Sequence, residues 1–385
     1  MKSVELFAGA GGLGLGVEHG GFDHTAVLEH DSWACKTLSK NTIWPVIHTD
    51  VSHFDYSQLE ENIDLVAGGP PCQPFSFGGK HRANLDVRDM FPEAIRAVRM
   101  IRPRVFLFEN VKGILRKNFS NYLEYIRLQL RHPDVTIKQE DWKSHLACLQ
   151  QQEIKGSRLG LNYNVIIQVM NSADYGVPQK RERVFIVGFR SDLGIEWSFP
   201  KATHSHDALL WSKWRSGEYW DLHEISRRRR PKVGCGMARA LALKEAPSTS
   251  AWQTVRDALT GLPDPEMYPR LAKKFTGHDF IPGARSYKGH TGSPYDAPAK
   301  TLKAGVHGVP GGENMLLRTD TSVRYFSVRE CARLQGFPDD FIFHGSWGRT
   351  MRQLGNAVPI GLAESIAKSV YSALIEYDGI NLKKS

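Results

Sequence analysis

The chain has 385 residues, 41% of them hydrophobic and 24% charged, which fits a globular protein with one large domain or two unequal ones. Fifty Lys and Arg against 41 Asp and Glu leave a formal charge of +9, a balance suited to a polyanionic partner. Five scattered cysteines with no C-x-x-C pair argue against a disulfide framework and a structural metal, and no apolar run suggests a bilayer span.

In chain order, an apolar strand begins within a few residues of the N-terminus, which leaves no room for a signal peptide and points to the cytoplasm. The first 190 residues alternate short apolar strands with helical stretches, the pattern of an α/β, mostly parallel, doubly wound sheet. Strands are predicted at Val4–Phe7, Thr25–Glu29, Leu65–Ala67, Val105–Glu109, Val165–Val169 and Val184–Phe189, and helices at Met90–Met100 and Tyr122–Leu130. The polar, Gln-rich stretch 131–160 reads as an insertion, a solvated helix or loop. Residues 191–300 scatter Trp, Gly, Pro and basic residues with little periodicity, which predicts a smaller, loop-rich domain. Within it lies the run Arg227, Arg228, Arg229, Arg230. Trp211, Trp214 and Trp220 are expected in that domain's core. A helical pattern returns at Val328–Leu334, and an amphipathic helix at Ile360–Ile375 is expected to pack back on the first sheet. The expected division is 1–190 completed by 345–385, and 191–344.

Two loops stand out. The strand Val4–Phe7 runs into Ala8-Gly9-Ala10-Gly11-Gly12-Leu13-Gly14, a glycine-rich turn of the kind that lets backbone approach a nucleotide closely. Glu29 ends the second strand, where a ribose hydroxyl pair could be held, and Asp50 follows the third apolar segment, where an adenine amine could be met. Such a turn is compatible with a purely structural role, NAD, a flavin or S-adenosylmethionine. Phe7 beside the glycines favours the last, because an aromatic ring can cover the adenine. The second loop is Gly68-Gly69-Pro70-Pro71-Cys72-Gln73-Pro74-Phe75-Ser76, a stiffened turn at the carboxyl edge of the sheet that carries one thiol. Packing alone does not call for a thiol between prolines, so Cys72 reads as a mounted nucleophile.

Further blocks follow in order: Phe108-Glu109-Asn110-Val111, Gln179-Lys180-Arg181-Glu182-Arg183-Val184, the stretch Arg329–Pro338, and Gln353-Leu354-Gly355-Asn356-Ala357-Val358-Pro359. The ordered set closely resembles the cytosine-5 DNA methyltransferases over about 1–190 and 320–375. The resemblance implies a DNA (cytosine-5-)-methyltransferase that uses S-adenosylmethionine, releases S-adenosylhomocysteine and needs no metal. By family position Cys72 would attack the cytosine ring, Glu109 would hold or donate a proton at ring nitrogen 3, and Arg181 and Arg183 would hold the base's carbonyl oxygen. The cofactor contacts it implies are Phe7, Gly9, Gly11, Leu13, Glu29, Asp50, Val51, Pro70, Asn356 and Val358. His30 departs from the family's frequent Trp, and Phe91 could pack on the adenine in its place. Toward DNA it implies Gln73, Ser76, Lys80 and Arg82, on a glycine-hinged loop at 75–85 that closes over a flipped-out base. Arg227–Arg230 would grip phosphates or read guanines. Double-stranded DNA is the expected partner, met by a monomer, with a restriction endonuclease as a genetic partner in a bacterial, nucleoid-associated setting. Two competing readings are a tRNA cytosine-5 methyltransferase, disfavoured by the long middle region, and a catalytically silent DNA-binding regulator, disfavoured by the presence of thiol, acid and arginines together.

Overall fold

The structure is a computed structural model that describes residues 1–71, 89–136, 142–155, 160–288, 291–304 and 314–382. Its contacts divide the chain into two compact units, Met1–Met170 with Glu182–Pro200 and Ala363–Ser385, and Asn171–Arg181 with Lys201–Leu362.

The first unit is built on a seven-stranded sheet in the order β3-β2-β1-β4-β5-β7-β6. Its strands are β1 (Lys2–Leu6), β2 (Asp23–Glu29), β3 (Val46–His48), β4 (Leu65–Gly68), β5 (Val105–Val111), β6 (Tyr163–Asn171) and β7 (Glu182–Arg190). Pairs β1–β2, β2–β3, β1–β4 and β4–β5 are parallel, and β7 runs antiparallel to β5. The chain winds outward from β1 to β3, then returns to β1's other side at β4. Ligands of open α/β sheets sit at such a reversal, at the carboxyl ends of the strands. Leu65–Gly68 and Val105–Asn110 are buried along their whole length, which is why they read as continuous apolar runs without alternation.

Helices α1 (Gly12–His19), α2 (Ser32–Asn41), α3 (Phe91–Ile101), α4 (Ser120–Arg131) and α5 (Trp142–Lys155) belong to this unit. Asp31 caps α2 by accepting from the amides of Trp33 and Ala34. The 131–160 stretch is more integrated than its polarity predicts. Leu149 is fully buried, and one turn away His145 meets the Tyr125 hydroxyl at 2.8 Å, while buried His132 meets Glu153 at 3.0 Å. Spacing of i, i+4 gives α5 one inward face that composition alone conceals.

The second unit contains β8 (His204–Ser205) paired with β9 (Ser250–Ala251), and a small sheet of β10 (Ser293–Pro294), β11 (Met315–Leu317) and β12 (Val323–Tyr325). Its helices are α6 (His206–Trp214), α7 (Glu218–Leu222), α8 (Met237–Ala242), α9 (Val255–Leu259), α10 (Pro269–Ala272), α11 (Val328–Gln335) and α12 (Trp347–Asn356). Leu209, Tyr219 and Trp220 form a local core, so the tryptophan of α7 packs as expected. Residues 345–362 and the 171–181 turn fall in this unit, where the sequence pattern groups both with the first. Close packing explains the difference: a Cβ on Gly355 would lie 2.3 Å from the Ala304 amide nitrogen.

Helix α13 (Ile360–Leu382) belongs to the first unit from Ala363 onward. A Cβ on Gly16 would stand 2.3 Å from the Cβ of Ala363, and one on Gly20 would stand 2.4 Å from that of Ala367. The C-terminal helix thus lies directly against α1 and the turn that follows it, and these two glycines serve packing. Against the expectation of no such run, Trp347–Ile380 is long and apolar enough by composition to cross a bilayer. Half of its most apolar window is buried inside the protein, as in a core helix.

Candidate active site

The loop leaving β1 is shaped by backbone. Phe7 and Gly9 both take φ of 57° and Gly11 takes 83°. A Cβ on Gly11 would meet Leu38 at 2.7 Å, and one on Gly14 would meet the Glu5 carboxylate at 2.1 Å, so those two glycines are required by the packing beneath the loop. At Gly9 a Cβ would meet nothing within 4 Å. Gly9 is therefore the point where the loop stays open to a ligand, and its left-handed φ suits glycine. Leu13 is buried below it.

Glu29 closes the loop. Its Oε2 accepts from the Gly9 amide at 2.7 Å, and its Oε1 accepts from the amides of His30 at 2.9 Å and Asp31 at 2.7 Å. Burial pushes this carboxyl up, but the His30 ring and the Asp31 and Gly9 amides outweigh it, leaving Glu29 below the ordinary carboxylate range. It is a buried anion whose Oε2, with one amide partner, retains capacity for a hydroxyl donor. The exposed His30 ring lies 3.2 Å from Glu29 Oε1, and that hydrogen bond raises the His30 pKa.

Asp50 is exposed and caps a short turn, accepting from the Ser52 hydroxyl at 2.7 Å and its amide at 2.9 Å, which lowers its pKa. Val51 beside it is buried. Sequence reasoning missed what holds this segment: Arg96 on α3 donates to the Val51 carbonyl at 2.6 Å and the Phe54 carbonyl at 3.1 Å, with its guanidinium over the Tyr56 ring. The long-range partners of Arg96 leave no sequence signal. Phe91, at the start of the same helix, is wholly buried in the core. Its ring is part of the core cluster that supports this region from within.

The acid site forms where β5 and β7 run side by side. Arg183 Nε lies 2.8 Å from Glu109 Oε1, with about a tenth of each side chain exposed. Burial lowers the Arg183 pKa while Glu109 opposes it. A Cβ on Gly69 would come within 3.3 Å of Glu109 Oε2, so the turn after β4 lies against the other carboxylate oxygen. Asn110 donates from Nδ2 to the carbonyl of buried Pro70 at 3.0 Å, tying β5 to that turn. The last described residue of the turn is Pro71. Cys72, Gln73, Ser76, Lys80 and Arg82 lie outside the described residues.

Arg181 goes elsewhere. It is fully buried in the second unit and donates to the carbonyls of Leu302 at 2.9 Å and Gly355 at 2.6 Å. Two positions apart in sequence, Arg181 and Arg183 belong to different units. Asn356, exposed at the end of α12, and buried Val358 also belong to the second unit. In the arginine run, Arg227, Arg228 and Arg229 are exposed, whereas Arg230 folds back onto the Ile225 carbonyl at 2.9 Å and the Asp221 carboxylate. Among the described residues no group of three or more His, Cys, Asp or Glu could hold a metal ion.

The parallel sheet ending in an antiparallel strand, with its glycine loop and acid site, has the fold of the S-adenosylmethionine-dependent methyltransferases. The Dnmt2 methyltransferase of S. pombe superposes with a TM-score of 0.56 at 17% identity, covering 98% of this chain and 99% of that one. The chain matches the C-5 cytosine-specific DNA methylase family over residues 1–140 and 143–372, and it belongs to that family. It is 32% identical to the Type II methyltransferase M.FnuDI of Fusobacterium nucleatum, covering 99% of this chain and 97% of that protein. It is also 32% identical to the Type II methyltransferase M.PspPI of Psychrobacter, covering 96% and 79%. The protein is a DNA (cytosine-5-)-methyltransferase.

Proposed function

We propose that Cys72 is the nucleophile of this methyltransferase, with Glu109 and Arg183 as its acid and anchoring base-binding group. The observation that carries the reading is the Glu109–Arg183 pair beside Gly69, in the turn that leads to Cys72. Carbon 5 of cytosine is too electron-poor to take a methyl group directly. Addition of the Cys72 thiolate at carbon 6 makes the ring an enamine, nucleophilic at carbon 5. The addition places charge on ring nitrogen 3, where Glu109 holds or supplies a proton. Arg183 orients Glu109 and donates to the base's carbonyl oxygen. After methyl transfer, loss of the carbon 5 proton expels the thiolate and restores the ring.

S-adenosylmethionine supplies the electrophilic methyl group and leaves as S-adenosylhomocysteine. Gly9 gives it backbone access, Glu29 takes a ribose hydroxyl through Oε2, and Asp50 with Val51 meets the adenine. Phe7, Gly11, Leu13 and Pro70 would line this pocket. The base reaches Cys72 by flipping out of the duplex, with Gln73, Ser76, Lys80 and Arg82 contacting the DNA. Arg181 acts as a positioning residue within the second unit, through the carbonyls of Leu302 and Gly355. That unit selects the target sequence, with Arg227, Arg228 and Arg229 on phosphates. Similarity to Type II enzymes supports a protective role beside a restriction endonuclease, carried out by a monomer in the cytoplasm.

The test uses duplex DNA with 5-fluorocytosine throughout and S-adenosylmethionine present. The fluorine cannot leave as a proton, so the wild-type protein should be trapped as a covalent adduct, and Cys72→Ala should give none. An adduct that persists in the variant, or none with the wild type, rejects Cys72 as nucleophile.

A further inference from the structure

Within the second unit, the segment from Pro263 to His278 is held by an unusually complete set of buried polar contacts. Asp264 accepts from the amides of Glu266 at 2.9 Å and Met267 at 3.3 Å, which starts the turn into α10. The same carboxylate pairs with Arg318 at 3.0 Å and with Arg324 at 3.2 Å. Arg324 is itself clamped by two 2.7 Å bonds to Glu330 on α11. At the far end, Arg329 donates to the Thr276 carbonyl at 3.0 Å. Buried His278 donates from Nε2 to the Pro263 carbonyl at 2.6 Å and accepts at Nδ1 from the Ser327 hydroxyl at 2.7 Å. The segment is thus pinned to α11 from both ends, and Ala272, the last residue of α10, is buried.

What this rigid mount displays is unlike a solvated turn. Met267 is 66% exposed, Tyr268 57% and Leu271 49%. Arg270, Lys273 and Lys274 are exposed beside them at i, i+3 and i+4, and none has an acidic partner among the described residues. The nearby carboxylates are already neutralised, since Glu266 pairs with Arg318 at 2.7 Å and Asp264 with two arginines. The surface therefore combines an aromatic ring and two aliphatic side chains with three uncompensated positive charges.

We propose that the turn and helix from Met267 to Lys274 are a DNA-backbone-binding surface of the second unit. Arg270, Lys273 and Lys274 meet phosphates, and Tyr268 packs on sugar or base edges with Met267 and Leu271 at its flanks. Charge complementarity selects the occupant: phosphates are the dense anions the enzyme's substrate presents, and positioning on a duplex comes mainly from such contacts. A fixed mount matters because a surface that sets register must not move with its ligand. This inference rests on duplex DNA being the substrate.

The experiment is fluorescence anisotropy of a labelled duplex over a range of salt concentrations. The combined variant Arg270→Gln, Lys273→Gln, Lys274→Gln should lower the slope of log affinity against log salt by about 0.9 for each phosphate the protein no longer neutralises. Tyr268→Ala should weaken binding several-fold and leave the slope unchanged. Circular dichroism and S-adenosylmethionine affinity, both expected unchanged, show that the variants are folded. An unaltered slope in the triple variant, with the wild type binding DNA, overturns the surface and leaves the methyltransferase reading intact. A wild type that binds no duplex overturns that reading as well. An unaltered slope with a shift in sedimentation from dimer to monomer would make this a contact between copies of the chain, and the proposal fails.

Discussion

The acid site at the sheet edge and the polar hub around α11 use the same residue types to opposite ends. Glu109 meets Arg183 through one oxygen at 2.8 Å, and a glycine lies against its other oxygen. Glu330 meets Arg324 through both oxygens at 2.7 Å and also accepts from the Ser327 amide at 2.8 Å. About a tenth of each side chain remains exposed in the first pair, against 2–3% in the second. A pair that keeps some exposure can exchange a proton or meet a substrate. A pair closed on all sides can only hold its surroundings in place, and it is costly to break because the survivor is left as an uncompensated buried charge.

The sharpest way to separate the two is to neutralise each acid in turn. Glu109→Gln keeps the shape and an acceptor for Arg183 but removes the ionisable proton. Methyl transfer measured in a single turnover should fall roughly 10²–10⁴-fold, with S-adenosylmethionine affinity and thermal stability little changed. A single-turnover rate equal to wild type would remove Glu109 from the chemistry. Glu330→Gln should do the reverse. Its effect should appear in urea unfolding, where stability drops by about 3–5 kcal/mol, the usual cost of breaking a buried pair. Should the fall be under about 1 kcal/mol, well below that usual cost, the hub is not the fastening its geometry indicates.

A third carboxyl tests the comparison at its margin. Glu5 on β1 is buried beneath the glycine loop, its Oε2 has no hydrogen-bond partner among the described residues, and burial pushes its pKa from 4.5 to about 8. Burial outweighs its hydrogen bond with the Gly14 backbone, and the Glu29 charge adds to it, so the protonated form is favoured. Between pH 4.5 and 8 the unfolded chain has released a proton that the folded protein still holds. Stability contributed by Glu5 is therefore lost as pH rises through that window, at up to about 1.4 kcal/mol per pH unit. Glu5→Gln should flatten this part of the profile, so the variant gains on wild type from about pH 5 to about pH 8 in urea midpoints. Parallel profiles for the two proteins would mean that Glu5 is not titrating there.

The sequence by itself determined the sheet and the identity of the chemistry. Continuous apolar runs such as Leu65–Ala67 and Val105–Phe108 read as strands covered on both faces, and the ordered motifs around Cys72 and Glu109 name a reaction through their resemblance to the cytosine-5 DNA methyltransferases. Local periodicity likewise carried α11 and the C-terminal helix. The tertiary structure alone decided the partners of the signature residues. Arg181 and Arg183 are equivalent in sequence, yet one is consumed by the carbonyls of Leu302 and Gly355 and the other faces Glu109. Of the glycines in the loop after β1 and the helix it enters, Gly11, Gly14 and Gly16 meet neighbours from α2, β1 and α13, and a Cβ on Gly9 would meet nothing within 4 Å. Arg96 and the mount beneath α10 were invisible for the same reason. Their partners lie tens of residues away, and a hydrogen bond to a backbone carbonyl places no constraint on the identity of the residue that accepts it.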